Sequence, residues 1–198
     1  MILKKFKLLP IAGDASHRKF YRKIYKYQNI STIVVFSKKE KPKNLLVYSA
    51  INQLLLKNNI KAPKLLKQNY KKNFIEIEDF GNIMFHNVLT QSKSKLYLYK
   101  RIIDLLIRLQ KIKPKKIKNF LGKFYNLKKY TIKELHKESD LFFDWYLPLI
   151  MKKSQAFKLK LILRKKLHIF YKKLKFKNNI FVHRDFHSFN LMKIKQNI

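Results

Sequence analysis

From residue 17 to residue 36 the chain, HRKFYRKIYKYQNISTIVVF, alternates aromatic or aliphatic residues with polar ones and closes on the β-branched cluster Ile33, Val34 and Val35. A period of two predicts two antiparallel strands, joined at Gln28-Asn29. After the polar SKKEKPKN, the segment LLVYSAINQLLLKNN places Leu45, Leu46, Ser49, Ala50, Leu54 and Leu55 on one helical stripe. Two further strands are predicted past Ala62-Pro63, over 63–66 and in NFIEIEDFG, 73–81. From about residue 83 the period lengthens. Leu98, Ile102, Leu105, Leu106 and Leu109 share a face of a helix over 96–110, with Ser92 or Ser94 available as its cap. KIKPKKIK predicts an exposed loop. A second helix is predicted over 131–150, ending near Pro148, and a long third over 154–176. A turn at Asn178-Asn179 and a short apolar strand, Ile180-Phe181-Val182, then deliver the chain into HRDFHSFN. Strands with one helix, followed by helices, make an α+β protein.

Composition narrows this picture only in places. At 198 residues and 46% hydrophobic content the chain can bury a core. It has no cysteine, which excludes disulfides and thiolate metal sites and fits a reducing, cytoplasmic setting. No membrane span is expected, because Asp144 and Pro148 interrupt the best candidate, LFFDWYLPLIM. The 47 Lys+Arg against 11 Asp+Glu leave a net charge of +36. The excess is nearly all lysine, spread evenly and accompanied by much Ile and Asn, as strong compositional bias would produce. Planar recognition of phosphate or guanine would call for arginine, so nucleic acid is not the favoured partner.

Against this background FVHRDFHSFNLM, 181–192, gathers two of the six histidines, an aspartate and an asparagine into one apolar run. His183, Arg184, Asp185 and Asn190 have the spacing H-R-D-x-x-x-x-N of a kinase catalytic loop. The spacing has a chemical reason. A carboxylate can accept or orient the hydroxyl proton of an attacking substrate, and a neutral amide oxygen five residues on can reach a Mg²⁺ ion bound to ATP phosphates. On a helix, His183 and His187 could instead bind zinc with Asp185 between them, but a preceding strand argues against that. His183 is expected to be buried and to brace the loop.

Three more stretches join this loop in a resemblance. The chain resembles the aminoglycoside phosphotransferase-like kinases, and within them is most similar to bacterial cell-wall amino-sugar kinases. LPIAGDASHRKFYR, 9–22, is similar to their nucleotide-covering hairpin. FIEIEDFGN, 74–82, looks like the hinge strand, and ELHKESDLFFDWYL, 134–147, like a substrate-proximal helical segment. The resemblance implies a protein-kinase-like two-lobed fold: a small N-terminal sheet lobe with one helix over 1–82, and an incomplete, mainly helical C-terminal lobe over 83–198 with the catalytic loop at 183–190. It implies ATP and Mg²⁺ as cofactors and transfer to the anomeric hydroxyl of N-acetylmuramate or N-acetylglucosamine in wall recycling. Asp185 would be the catalytic base, with His183 and Arg184 beside it, and Asn190 the metal ligand. Gly13, Asp14, Ala15 and Ser16 would form the phosphate-facing turn, though a plain hairpin turn fits them as well. Arg18 and Arg22 either approach the phosphates or alternate outward. Glu78 and Asp79 would meet adenine through their main chain, and Glu138, Asp144 and Trp145 would lie near the substrate.

The chain also departs from the pattern. STIVVF lacks the strand lysine of protein kinases, and no acid follows Asp185 to serve as the second metal ligand. The expectation is a fragment that is marginally stable and nearly inactive by itself. Two alternatives remain: the same fold with an aminoglycoside, choline-like, homoserine or protein acceptor, or a non-catalytic basic protein that binds nucleic acid.

Overall fold

The computed structural model describes residues 6–11, 18–27, 30–38, 41–113, 116–174 and 180–194. It is an α+β protein whose contacts fall into two compact units. One takes the described residues up to Asn126 together with those from Phe181 onward, and the other lies within Leu127–Ile180. The division by contact falls at residue 127, and the HRDFHSFN segment belongs to the first of these units.

In the first unit, β1 (Phe6–Ile11), β2 (Arg18–Tyr25), β3 (Ser31–Ser37), β4 (Leu65–Asn69) and β5 (Phe74–Glu78) form an antiparallel sheet in the order β1-β2-β3-β5-β4. The two expected strands are β2 and β3, paired from Arg18 with Ser37 to Ile24 with Ser31. The Gln28-Asn29 connection lies outside the described residues. β4 begins later than expected, at Leu65, and its register shifts between Leu65 and Lys67. The alternation of β3 and β5 turns Ile33, Val35, Ile75 and Ile77 to one face, where Leu45 of α1 (Lys43–Lys57) completes the core. Val35, Leu45 and Ile75 are fully excluded from solvent.

The same unit holds α2 (Phe85–Gln91), α3 (Lys95–Gln110) and a small hairpin, β6 (Ile117–Lys118) with β7 (Phe124–Tyr125). Leu98 and Leu109 of the expected stripe are buried, and Ile102, Leu105 and Leu106 are half-buried. Ser94 precedes α3 but makes no side-chain cap bond. The expected exposed loop KIKPKKIK needs correction. Ile112 and Ile117 are buried, and Ile117 opens β6, because two branched aliphatic residues gain by leaving water while Lys113 and Lys116 stay exposed. The expected strand over 180–182 is also absent: these residues belong to no strand, and Ile180 and Val182 are exposed.

The second unit is helical. α4 (Ile132–Leu141) runs through a π turn, Phe142–Tyr146, into α5 (Leu147–Ile150), and α6 (Lys153–Lys173) follows. The helical run ends at Ile150, the expected bound, two residues past Pro148. Proline offers no N–H to the preceding turn and its ring crowds a carbonyl there, and the wider π turn just upstream accommodates both. Phe143, Leu147 and Ala156 form the core of this unit. His136 of α4 is buried against α6, its ring stacked on His168 with Nε2 3.1 Å from Nδ1 of that residue and its edge against Tyr171. No helix among the described residues is long and apolar enough to cross a membrane.

Two stability predictions follow from these cores. Leu45→Ala should cost about 2–5 kcal/mol in denaturant unfolding, since it empties a site on which four β-sheet residues converge. His136 is held below the ordinary histidine range by burial first, then by Arg164 and His168, against the opposing pull of Asp140. The folded state thus binds this proton more weakly than the unfolded state. Its contribution is complete above the unfolded value, about 6.5, and is lost as the pH falls below it. Protection factors of the α4 amides, corrected for intrinsic exchange at each pH, should fall from pH 7 to pH 5, and His136→Phe, which keeps a ring against Tyr171, should reduce that change.

Candidate functional site

Two polar constructions in the first unit are candidates. The first joins the sheet to the segment that leaves β5. The Arg22 guanidinium donates from Nε to Asp79 Oδ2 at 2.6 Å and from Nη2 to Oδ1 at 3.1 Å, and further to the Gly81 carbonyl at 2.9 Å and to Asn82 Oδ1. Asp79 also accepts from the Ser31 hydroxyl at 2.7 Å and from the Gly81 N–H at 2.8 Å. Gly81 adopts φ +88°, which a side chain would strain. Burial works to raise the Asp79 pKa, but Arg22, Ser31 and the Gly81 N–H together outweigh it and hold the carboxyl below its ordinary value.

This arrangement assigns several of the expected site residues. Arg22 is committed to the segment after β5, and the Asp79 side chain is fully engaged. The Glu78 N–H donates to the Lys64 carbonyl at 2.9 Å, so it is not available to an adenine ring. Arg18 lies over the Tyr48 ring, 5.2 Å from its centroid, and near Phe20. Gly13, Asp14, Ala15 and Ser16 lie outside the described residues.

A neighbouring buried network was not legible in the sequence. Glu76, in the middle of β5, accepts from Thr32 at 2.7 Å, from Tyr25 at 2.9 Å and from Lys23 at 3.1 Å. It occupies the sheet face turned away from α1. Burial tends to raise its pKa, yet the three donors bring it below the ordinary value, while Lys23 is raised by Tyr25 and Glu76 against its own desolvation. The strand lysine absent from β3 is thus paralleled by a lysine on β2 with a strand carboxylate as partner. This pair crosslinks strands and lies opposite the helix-facing core.

The second construction is the HRDFHSFN loop. A short antiparallel contact between Met84 and Met192 fixes its exit, through Phe85 N–H to the Leu191 carbonyl at 2.8 Å and Lys193 N–H to the Ile83 carbonyl at 2.9 Å. Leu191 then packs onto Phe85, Leu89 and Leu98. Arg184 takes φ +72°, a left-handed conformation that costs a β-carbon residue about 1 kcal/mol or more. A single 3₁₀ turn, Ser188–Asn190, follows. Together these bends bring Asn190 back to Asp185: its Nδ2 donates to the Asp185 carbonyl at 3.0 Å and to Oδ2 at 2.7 Å. His187 Nε2 lies 3.0 Å from Oδ1 of the same carboxylate. The Asp185 side chain remains 71% exposed, so a solute can reach it. His183, expected to be buried, is exposed, with its ring edge against Phe186 at 5.7 Å. The loop is no helix, which removes the arrangement that would have set His183 and His187 on one helical face.

The remaining expected residues lie in the second unit. Glu138 on α4 accepts from the Tyr130 hydroxyl. Asp144 in the π turn is bonded to Lys160, and Trp145 beside it is 74% exposed. Among the described residues no group of three or more His, Cys, Asp or Glu side chains is placed to hold a metal. The Asp185 carboxylate and the Asn190 carbonyl oxygen, which the Nδ2 bond turns away from that carboxylate, are hard oxygen donors of the kind Mg²⁺ accepts when phosphates and water supply the rest of its shell. No known family matches this chain in a family-by-family comparison, and no curated protein matches it.

Asp79→Asn should lower stability by about 3 kcal/mol, because it leaves the Arg22 guanidinium partly buried without its counter-charge. A carboxyl whose folded pKa is depressed stabilises fully above its unfolded value, about 3.9, and loses that contribution as pH falls through the folded value. The acid limb of the unfolding curve should therefore be flatter in Asp79→Asn than in the parent.

Proposed function

We propose that the chain is an ATP-dependent phosphotransferase of the aminoglycoside phosphotransferase-like kind, acting on a small-molecule hydroxyl, with the anomeric hydroxyl of an N-acetylated amino sugar as its acceptor. The observation that carries this reading is the return of Asn190 onto Asp185. A loop with kinase spacing folds so that its carboxylate and its amide stand side by side, exposed, on a segment anchored to the helix that follows the β5 strand. A local motif match alone would not require that contact.

In this reading Asp185 orients the acceptor hydroxyl and takes its proton, while Arg184 and His183 shape the loop. The Asn190 oxygen would hold Mg²⁺, which when bound neutralises charge on the β- and γ-phosphates. The GDAS turn, Gly13 to Ser16, would face the phosphates, and Arg18 would lie at its edge. The main chain after Glu78 would receive adenine, with Asp79 keeping that segment rigid through Arg22. Glu138, Asp144 and Trp145 are the proposed acceptor contacts. The proposal includes a cytoplasmic setting and the lobe division at residue 82, with 183–190 as the catalytic loop.

The test is phosphoryl transfer from ATP with Mg²⁺, followed by ³¹P NMR. N-acetylmuramate and N-acetylglucosamine should give an anomeric phosphate, whereas aminoglycosides, choline and homoserine should not. Asp185→Asn should reduce turnover by about 10²- to 10⁴-fold while leaving ATP binding within about twofold. Turnover that survives Asp185→Asn, or failure of the parent to bind ATP with Mg²⁺, defeats the proposal. Tight, steeply salt-dependent binding of nucleic acid without turnover would favour the basic-protein alternative.

A further inference from the structure

A carboxylate that accepts a proton from a bound hydroxyl must keep one orientation, and an exposed aspartate left alone rotates freely about two side-chain bonds. In this loop both carboxylate oxygens of Asp185 are engaged, Oδ1 by His187 Nε2 at 3.0 Å and Oδ2 by Asn190 Nδ2 at 2.7 Å. An ionised carboxylate only accepts hydrogen bonds, so both facing atoms must be donors. That puts a proton on His187 Nε2 and turns the amide nitrogen of Asn190 toward Asp185. The 3.1 Å approach of Asn190 Nδ2 to His187 Nε2 is then a contact between two donors and not a hydrogen bond. Because the amide is planar, its oxygen points away from the carboxylate, as a metal ligand there requires.

The His187 ring is itself fixed. Its neighbour Phe189 meets it edge-on at 6.1 Å and stacks on His86 of α2 at 4.0 Å with an interplanar angle of 18°. The Ser188 hydroxyl lies 3.5 Å from His86 Nδ1. A continuous line of contacts therefore runs from α2 through Phe189 and His187 to the Asp185 carboxylate.

The geometry points to His187 as the positioning residue for Asp185: an imidazole that donates from Nε2 to Oδ1 and so aims the remaining lone pairs at the acceptor. The role rests on the phosphotransferase reading above. In the transfer step the acceptor O–H bond breaks and its proton goes to Asp185. The hydroxyl oxygen forms the bond to the γ-phosphorus, and the bond from that phosphorus to the β,γ-bridging oxygen breaks, leaving its electron pair on ADP. His187 keeps its Nε2 proton throughout.

The test uses the full chain and two independent readouts. His187→Leu should lower kcat about 10- to 100-fold with the KM for ATP within about twofold, and His187→Gln, whose amide nitrogen can take the place of Nε2, should restore most of it. In ¹⁵N spectra of the imidazoles, His187 should be the Nε2–H form in the parent and should redistribute toward Nδ1–H in Asp185→Ala. Parent-like turnover in His187→Leu overturns the role, as does failure of Gln to rescue, or an imidazole signal unmoved by Asp185→Ala. Turnover that persists in Asp185→Ala defeats the kinase reading instead, and is told apart because the imidazole signal then still shifts. With no turnover in any protein the positioning role falls with the reaction.

Discussion

The sheet unit is organised around one partly buried carboxylate. Asp79 leaves β5, yet its oxygens gather donors from β2 through Arg22, from β3 through Ser31 and from its own turn through Gly81. Three strands and the segment leading to α2 are thereby referred to a single point. Desolvating an ion pair is costly, and the geometry repays it only because the guanidinium is bidentate and every remaining Asp79 bond is charge-assisted. The candidate loop depends on this point indirectly. Residues 83–85, which bind the returning chain at 191–193, begin just past the Gly81 and Asn82 groups that Arg22 holds.

A scarcity of acids sharpens this dependence. With 11 carboxylates set against 47 cations, there are too few acids to pair most of the lysines, and some of these lie over aromatic rings instead, as Lys116 and Lys118 do over Phe124. The few acids that do enter the interior act as crosslinks: Glu76 ties β2, β3 and β5, and Asp140 holds Arg164 across α4 and α6. Surface lysines contribute solubility and self-repulsion in equal measure. The specificity of strand pairing then rests on hydrophobic alternation plus these buried carboxylates.

How much of this was legible in the sequence follows from range. The stripe over 98–109 and the β2–β3 pairing were readable because period and turn chemistry are local. The loop motif was readable for the same reason, since its carboxylate and amide lie five residues apart. The Arg22–Asp79 pair spans 57 positions and Lys23–Glu76 spans 53, and nothing in a strand's alternation tells which polar residue will find a distant partner. Glu76 is charged and buried nonetheless, because three donors meet it there. Local reading failed in the opposite sense at Ile180-Phe181-Val182, where apolar residues suggested a strand but no neighbouring strand is available among the described residues to pair with it. The helix end at Ile150 was readable because Pro148 is itself a local signal, whereas the π turn before it was not.

The two constructions differ in what their carboxylates are prepared to do. Asp79 is surrounded by a guanidinium, a hydroxyl and a backbone amide, and its depressed pKa makes it a poor proton acceptor. Such a group stabilises a fold and does little chemistry. Asp185 sits in a chain crowded with lysine, yet its side-chain bonds come from an amide and an imidazole. Those donors restrict its rotation, so its remaining lone pairs stay directed. Within one chain, then, one carboxylate crosslinks strands through a guanidinium, and the other is held, exposed, by an amide and an imidazole within a single loop.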